Sequence, residues 1–212
     1  MRYNECTYLQ HDPRNKGNMS FGYLELFIGP MFSGKTSKLL EIYKQCIFCN
    51  IPVAVINHAE DTRYHDSMLS THDKTMIPCI QTSHIQDIWV LESENHAKLR
   101  ASQVILINEA QFFDDLVPMV EEMLRAGKKV YVAGLDGDFQ RKRFGTILDL
   151  VPLSDKVTKL TSLCSMCKNG ENGIFSMRLT QEKQQMLIGS DNYIPVCRGC
   201  YYSSCMDASP ET

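Results

Sequence analysis

The chain has 212 residues, a length that fits one ordinary domain, or one domain with a small appendage. Apolar residues make up 43% of the sequence and charged residues 22%, which indicates a globular protein with a buried core and excludes disordered and fibrous classes. The formal net charge is −3, so the chain lacks the basic excess of a dedicated nucleic-acid binder. We therefore expect no nucleic acid among its partners.

Targeting and membrane signals are not found in the sequence. The first twenty residues contain no apolar segment of the kind that a signal peptide needs, and no later run approaches the roughly 18 apolar residues of a membrane span. This pattern predicts a soluble, cytoplasmic protein with no membrane partner. Nine cysteines in a reducing compartment favour metal ligation or burial over disulfides. Residues 1–20 and 206–212 are predicted to be flexible tails.

Buried strands alternate with amphipathic helices along the first two thirds of the chain. Apolar runs predict strands at residues 23–28, 52–57, 103–107 and 130–135. After the first strand, apolar residues at three- and four-residue spacing predict a helix over residues 36–47. Its buried face is predicted to hold Leu39, Leu40, Tyr43, Cys46 and Ile47. This order of elements predicts an α/β protein with a parallel sheet.

A second helix is predicted between the third and fourth strands. Asp114 is a suitable N-cap, and Gly127 can end the helix. The residues expected on its buried face are Leu116, Val120, Met123 and Leu124. Near Leu160 the composition changes to cysteines and turn residues with little regular periodicity, so a small second unit is predicted there.

Residues 29–36 match the P-loop pattern at every fixed position and lie between a predicted strand and a predicted helix. Glycines in this pattern let backbone N–H groups turn inward around phosphate oxygens, and the helix N-terminus favours negative charge. Lys35 can then reach the β- and γ-phosphates of a nucleotide, and the Thr36 hydroxyl can ligate Mg²⁺. The alternative is a glycine-rich turn that matches by chance. The predicted nucleotide-binding residues are Gly29, Pro30, Met31, Phe32, Ser33, Gly34, Lys35 and Thr36.

Glu109 follows the third predicted strand, at the carboxyl end of the sheet, where open α/β folds bind ligands. A carboxylate there can accept a proton from a substrate hydroxyl that attacks the γ-phosphate, or it can hold Mg²⁺ through water. A third interpretation is a solvated residue at a strand end.

Two C-x-x-C pairs are separated by 29 residues and offer four thiolates suited to a closed tetrahedral Zn²⁺ site. They are Cys164, Cys167, Cys197 and Cys200. Buried or redox-active thiols are the alternative. Cys46 and Cys49 form a third pair without a partner pair, and core packing is the better interpretation of Cys46.

Aromatic residues gather after the third and fourth strands and before the second cysteine pair. They are Phe112, Phe113, Phe139, Phe144 and Tyr193. Such rings could hold a flat ligand, although a single aromatic residue is more often part of a core. The basic run at 141–143 is typical of a solvated face.

Residues 21–202 resemble the type II thymidine kinases, the zinc-containing cytosolic family found in animals, bacteria and some viruses. The similar segments are 29–36, Asp61-Thr-Arg63, 71–73, 109–113, 135–142 with 144–145, 150–153 and the two cysteine pairs. The resemblance implies a P-loop NTPase fold with a RecA-like parallel sheet in residues 21–160 and a small zinc-binding lasso domain in residues 161–205. It also implies a homotetramer.

The activity implied by the resemblance is transfer of the γ-phosphate of ATP to the 5′-hydroxyl of thymidine, with deoxyuridine as a second substrate. Glu109 is then the general base. Further residues implied to lie on the side of ATP and Mg²⁺ are Asp61, Thr62, Arg63, Asn108 and Gln111. The nucleoside pocket is implied to consist of Met31, Phe112, Leu135, Phe139 and Phe144, together with the lasso residues Gln184, Gln185, Met186, Leu187, Ile188 and Tyr193.

The sequence departs from the family pattern next to the implied base. Asn108 stands where the family usually has Asp, so an amide replaces a full charge near the expected metal. Asp138 and Arg143 replace an uncharged residue and a proline. Two other interpretations stay open: a RecA-like zinc-ribbon ATPase acting on nucleic acid, which the pI near 6.1 disfavours, and an inactive nucleotide-binding scaffold, which Asn108 suggests.

Overall fold

The computed structural model describes residues 21–60, 68–70, 76–180, 182, 184–185 and 192–206. Six predicted site residues lie outside this part of the chain, namely Asp61, Thr62, Arg63, Met186, Leu187 and Ile188. Residues 1–20 and 206–212 were predicted to be tails, and of these the structure describes only residue 206.

Strands and helices alternate through most of the described chain. The strands are β1 (Tyr23–Ile28), β2 (Val53–His58), β3 (Met68–Ser70), β4 (Met76–Pro78), β5 (Ile80–Thr82), β6 (Val104–Asn108), β7 (Lys129–Gly134), β8 (Lys156–Lys159), β9 (Ser162–Leu163), β10 (Asn172–Gly173), β11 (Phe175–Arg178) and β12 (Tyr193–Val196). The helices are α1 (Lys35–Phe48), α2 (Ile85–Trp89), α3 (Glu94–Ala101), α4 (Leu116–Arg125) and α5 (Arg198–Met206), with 3₁₀ turns at Ala110–Phe112 and Ile147–Leu153.

The main sheet is parallel, which confirms the predicted α/β class. Within the described residues it has six strands in the order β5-β2-β6-β7-β1-β8. The four predicted strands correspond to β1, β2, β6 and β7, with bounds shifted by one residue at most. The apolar pattern misses β5 and β8, because β5 has three residues and β8 is a mostly exposed edge strand.

Both faces of the sheet are buried, which explains the continuous apolar runs of its strands. Alternate residues point to opposite faces: in β6, Ile105 and Ile107 pack into one core, whereas Leu106 packs into the other beneath α1. The 3₁₀ turn at Ile147–Leu153 and helices α2 and α4 cover the first face. Because β1, β2, β6 and β7 are parallel, their carboxyl ends meet at a single edge of the sheet.

The structure corrects two details of the predicted helices. Ile47 is 55% exposed and does not belong to the buried face of α1, where Ile42 is buried instead, four residues before Cys46. The N-cap of α4 is Asp115, so the assignment to Asp114 is wrong by one position. Asp115 does not cap with its side chain but accepts the backbone N–H of Gln86 at 2.7 Å, which ties α2 to α4.

The α4 prediction holds at the other end and on the buried face. Leu116, Val120 and Met123 are fully buried, and Leu124 packs partly buried against the same core. Gly127 has a φ of 73°, the left-handed conformation that ends a helix, and its N–H donates to the carbonyl of Leu124 at 2.9 Å.

A smaller unit follows β8. Two antiparallel pairs, β9 with β10 and β11 with β12, pack with α5 around their own core of Cys164, Val196 and Tyr201. The unit contacts the loop between β1 and α1, where the N–H of Met31 donates to the Ser176 hydroxyl at 2.9 Å. The domain boundaries at residues 160 and 205 stay predictions.

No helix among the described residues is long and apolar enough to cross a membrane.

Candidate active site

The P-loop lies at the edge of the sheet between β1 and α1, as its motif requires. Gly29 and Gly34 have positive φ values of 149° and 84°. A Cβ on Gly29 would lie 2.3 Å from the Leu160 carbonyl oxygen, so only glycine fits there. Helix α1 begins at Lys35, and its first N–H groups point toward the loop. This arrangement can hold phosphate oxygens.

Lys35 is folded against the loop that precedes it. Its Nζ donates to the carbonyl oxygens of Gly29 at 3.1 Å and Pro30 at 2.6 Å. Ser33 Oγ is 3.5 Å from the same nitrogen. The cationic group therefore lies inside the curve of the loop, where it can meet the phosphates of a nucleotide.

Oxygen donors of α1 and β6 meet beside the P-loop. The Thr36 hydroxyl donates to Oδ1 of Asn108 at 3.3 Å, and Nδ2 of Asn108 donates to Oδ1 of Asn57 at 2.9 Å. Asn57 and Asn108 are 1% and 2% exposed and stand opposite each other in the register of β2 and β6. A hydroxyl and an amide oxygen are hard ligands of the kind that Mg²⁺ takes, so this set fits the metal.

Glu109 follows β6 directly and has a φ of 51°, a left-handed conformation that is rare for residues other than glycine. Nε2 of Gln111 donates to Oε2 of Glu109 at 2.7 Å. Oε1 of Gln111 accepts the N–H of Leu135, at the end of β7, at 2.9 Å. The Glu109 carboxylate is therefore oriented by a buried amide between two neighbouring strand ends.

His58 ends β2 beside this site, and no motif in the sequence marks it. Its ring centroid lies 5.4 Å from that of Phe112 and 4.7 Å from that of Phe113. Its Nδ1 accepts the backbone N–H of Glu60 at 3.2 Å. Burial lowers the pKa of His58, and the nearby Glu60 carboxylate opposes the shift. Its position at a strand end was the signal that could have found it, as for Asn57.

The predicted aromatic residues form two separate groups. Phe112 and Phe144 meet edge to face, with ring centroids 5.5 Å apart. Phe139 lies under the guanidinium of Arg178, whose central carbon is 3.8 Å from the ring centroid. Phe113 is 1% exposed and belongs to the main core.

Arg178 holds the segment that precedes β12. Its guanidinium donates to the carbonyl oxygens of Glu182 at 2.8 Å and Gln185 at 3.0 Å, and to that of Gln184. It also donates to the Tyr193 hydroxyl, at 3.1 Å from Nε. No motif marks Arg178 in the sequence, because most of its partners are main-chain atoms that residue identity does not reveal.

Asp138 links the same segment to the loop after β7. Oδ1 accepts the N–H groups of Gln140 and Lys142, both at 2.8 Å, and Oδ2 accepts Nε2 of Gln185 at 2.9 Å. Arg178 thus contacts Gln184, Gln185, Tyr193 and Phe139, and the assignment of these residues to a nucleoside pocket stays a prediction.

The four cysteines of the two C-x-x-C pairs come together. The sulfur atoms of Cys164, Cys167, Cys197 and Cys200 lie within 4.8 Å of one another. Tetrahedral zinc with bonds of about 2.3 Å needs sulfurs roughly 3.8 Å apart, so the cluster fits a structural zinc ion. Cys46, in contrast, is buried in the core, as predicted, and Cys49 is exposed.

The environment of the cluster favours one thiolate over the others. Burial of Cys164 disfavours its ionisation, but backbone hydrogen bonds from Cys197, Cys167 and Met166 outweigh this and lower its pKa to about 6. Hydrogen bonding with Cys197, together with burial, raises the pKa of Cys200 to about 12. Binding a metal ion would deprotonate all four thiols, so zinc affinity depends on pH.

The parallel sheet and the P-loop at its edge define a nucleotide-binding protein of the P-loop class. The Thymidine kinase family model matches residues 22–201. The chain belongs to the thymidine kinase family.

Relatives of this family match over most of the chain. A thymidine kinase of sheeppox virus is 40% identical over 185 residues, covering 87% of this chain and 99% of its own length. The cytosolic thymidine kinase of Bos taurus is 41% identical over 182 residues, covering 85% of this chain and 72% of its own. Thymidine kinase 1 of Dictyostelium discoideum is 41% identical over 187 residues, covering 86% of this chain and 78% of its own length.

Proposed function

We propose that the protein is an ATP-dependent thymidine kinase that produces thymidine monophosphate and ADP. The observation that carries this proposal is the position of Glu109 and the P-loop at the same edge of the sheet, in a chain of the thymidine kinase family. This arrangement provides a phosphate-binding loop and a carboxylate next to each other, as transfer of a phosphoryl group to a hydroxyl requires.

On the nucleotide side, the backbone N–H groups of residues 29–36 bind the phosphates of ATP, and Lys35 neutralises charge on the β- and γ-phosphates. Thr36 and Asn108 would hold Mg²⁺, which when bound neutralises phosphate charge. Asp61, Thr62 and Arg63 complete this side of the site by resemblance to the family.

On the nucleoside side, Glu109 accepts the proton of the 5′-hydroxyl as that oxygen forms a bond to the γ-phosphorus and ADP leaves with the electron pair of the broken bond. Gln111 orients the carboxylate, and we assign it this positioning role in place of contact with ATP. The supporting contact is the 2.7 Å hydrogen bond from Gln111 Nε2 to Glu109 Oε2.

The thymine base binds between the end of the sheet and the segment before β12. This pocket consists of Met31, Phe112, Leu135, Phe139, Phe144, Tyr193 and residues 184–188. The contacts of Arg178 support it, since its guanidinium lies over Phe139 and donates to the Tyr193 hydroxyl and to the carbonyl oxygens of Glu182 and Gln185. The zinc site holds the lasso in place from its two ends.

The assembly and location follow the family. We place the enzyme in the cytosol, as the name of the cytosolic thymidine kinase of Bos taurus says of that protein, and we expect a homotetramer. Residues 21–160 form the nucleotide-binding domain and residues 161–205 the lasso domain in this proposal.

Transfer of radiolabelled γ-phosphate to thymidine, deoxyuridine, deoxycytidine and deoxyguanosine tests the function. We expect the fastest transfer to thymidine and slower transfer to deoxyuridine, with no stimulation of ATP turnover by single-stranded DNA. The Lys35→Met variant serves as the control for contaminating kinases. ATP hydrolysis that depends on DNA would indicate the RecA-like ATPase instead, and nucleotide binding without any product would indicate a scaffold.

A further inference from the structure

Asn108 poses an orientation problem that a carboxylate does not have. Both oxygens of a carboxylate accept hydrogen bonds and attract cations, whereas an amide has one oxygen and one NH₂ group that repels a cation. The two ends of an amide have nearly the same shape, so its orientation is decided by hydrogen-bond partners. In the structure, Oδ1 of Asn108 faces Thr36 and Nδ2 faces Asn57.

Thr36 cannot select this orientation by itself, because a hydroxyl can accept a hydrogen bond as well as donate one. The partner on the other side is selective. In the orientation that Asn57 has in the structure, its Oδ1 is only an acceptor and lies 2.9 Å from Nδ2 of Asn108. Rotating the Asn108 amide alone would place two oxygens against each other in a buried environment, where an unmade hydrogen bond is costly.

Backbone pairing holds the two amides in place. Asn57 and Asn108 are partners in the register of the parallel strands β2 and β6, and both side chains are buried. Their separation is therefore determined by the sheet rather than by a mobile loop. Asn57 also lies outside the P-loop and outside every residue set that the sequence motifs select.

We propose that Asn57 is a positioning residue that turns the oxygen of the Asn108 amide toward Thr36 and the metal of the bound nucleotide. The inference rests on the proposed function, in which Thr36 and Asn108 hold Mg²⁺. Asn57 acts through Asn108 and touches neither ATP nor thymidine. It enables a neutral amide to serve at a position where the family usually has a carboxylate.

Equilibrium binding of ATP tests the proposal without any measurement of catalysis. The dissociation constant for ATP is measured in EDTA and again in excess Mg²⁺, and the ratio of the two reports how strongly the protein favours metal-bound nucleotide. The Asn57→Leu variant removes the acceptor at similar volume. We expect it to lower this ratio about tenfold, the usual effect of losing a group that orients a metal ligand, with ATP binding in EDTA unchanged.

The decisive comparison repeats the Asn57→Leu change in an Asn108→Asp background. A carboxylate presents an oxygen in either orientation, so the change should there leave the ratio unaffected. Asn57→Asp, which keeps the acceptor, should retain at least the original ratio in the Asn108 background.

Asn95→Leu, on the exposed face of α3, is the matched control. Melting temperatures identify misfolded variants, and Asn57→Ala replaces Asn57→Leu if that variant does not fold.

An unchanged ratio in Asn57→Leu would overturn the proposal, as would an equal loss in the Asn108→Asp background, which indicates general damage to the sheet. Failure of the proposed function gives a different result. In that case the unsubstituted protein would not bind ATP in either buffer, or would bind it with equal affinity in both.

Discussion

Gln111 donates from Nε2 to Oε2 of Glu109 at 2.7 Å, while its own Oε1 accepts the N–H of Leu135 at 2.9 Å. The second bond determines which end of the Gln111 amide faces the carboxylate. The backbone of Leu135, the residue that follows β7, thereby controls the orientation of a carboxylate that follows β6. Because β6 and β7 are neighbours in the sheet, Gln111 can bind both strand ends and hold the carboxylate that we propose accepts the proton.

Replacing Gln111 with Leu should lower kcat roughly tenfold, because a carboxylate without its donor leaves the geometry that proton transfer needs. The Michaelis constant for ATP should change little, since the P-loop is untouched. Steady-state kinetics with both substrates measure this split. Gln103→Leu, at the opposite end of β6, is the matched control. Equal rates for the Gln111 and Gln103 variants would contradict the positioning role.

Replacing Glu109 with Gln should lower the rate of transfer by ~10²–10⁴, because the amide keeps the shape but cannot accept the 5′-hydroxyl proton. ATP binding should stay nearly intact. Rates at saturating substrates and calorimetric titration with ATP measure the two properties. Glu94→Gln, on the exposed surface of α3, is the control. If the Glu109 variant kept more than about half of the activity, another group would be the base.

Arg178→Met should weaken thymidine binding roughly tenfold, because several hydrogen bonds to main-chain carbonyls and to Tyr193 are lost together. The affinity for ATP should stay the same. Arg178→Lys should weaken thymidine binding less, since an ammonium keeps the charge but cannot reach all of these acceptors. Arg125→Met, on the surface of α4, provides the comparison. Equal losses for both substrates would show that Arg178 maintains the fold in general.

Removing zinc, or replacing Cys164 with Ser, should disorder the lasso before the sheet unfolds. The chain between the cysteine pairs has little apolar periodicity of its own, so the metal supplies much of its order. Thymidine affinity should fall strongly, with ATP binding roughly preserved. Cys49→Ser, at an exposed cysteine outside the cluster, should change neither. Metal analysis of fresh protein should find about one zinc per chain, and less than about half of that would count against the site.

The buried His58 should make the protein less stable in mild acid. Its folded pKa lies below the ordinary histidine value of about 6.5, so the folded state binds fewer protons than the unfolded state near pH 6. The free energy of unfolding should therefore fall as the pH drops below about 6.5. In His58→Gln this dependence should be weaker, whereas His96→Gln should retain it. Urea denaturation at pH 7.5 and pH 5.5 measures the difference, and identical pH dependences for all three proteins would disprove the assignment.

Features that depend on local pattern could be predicted from the amino-acid sequence alone. Apolar runs located β1, β2, β6 and β7, since a strand buried on both faces must be apolar throughout. The P-loop and the two cysteine pairs were found because phosphate binding and zinc ligation need particular residue types at particular spacing. Glu109 was a candidate because it directly follows a buried strand, at the carboxyl end of the sheet, where open α/β folds bind ligands.

The folded chain was needed to show which distant groups meet and how they face each other. Asn57 and Asn108 are 51 positions apart, and it is the crossover between β2 and β6 that makes them partners. Arg178 binds main-chain oxygens, which every residue type possesses, so no sequence pattern could select it. Hydrogen-bond direction depends on three-dimensional packing, and for that reason the orientation of each site amide could be determined only from the folded chain.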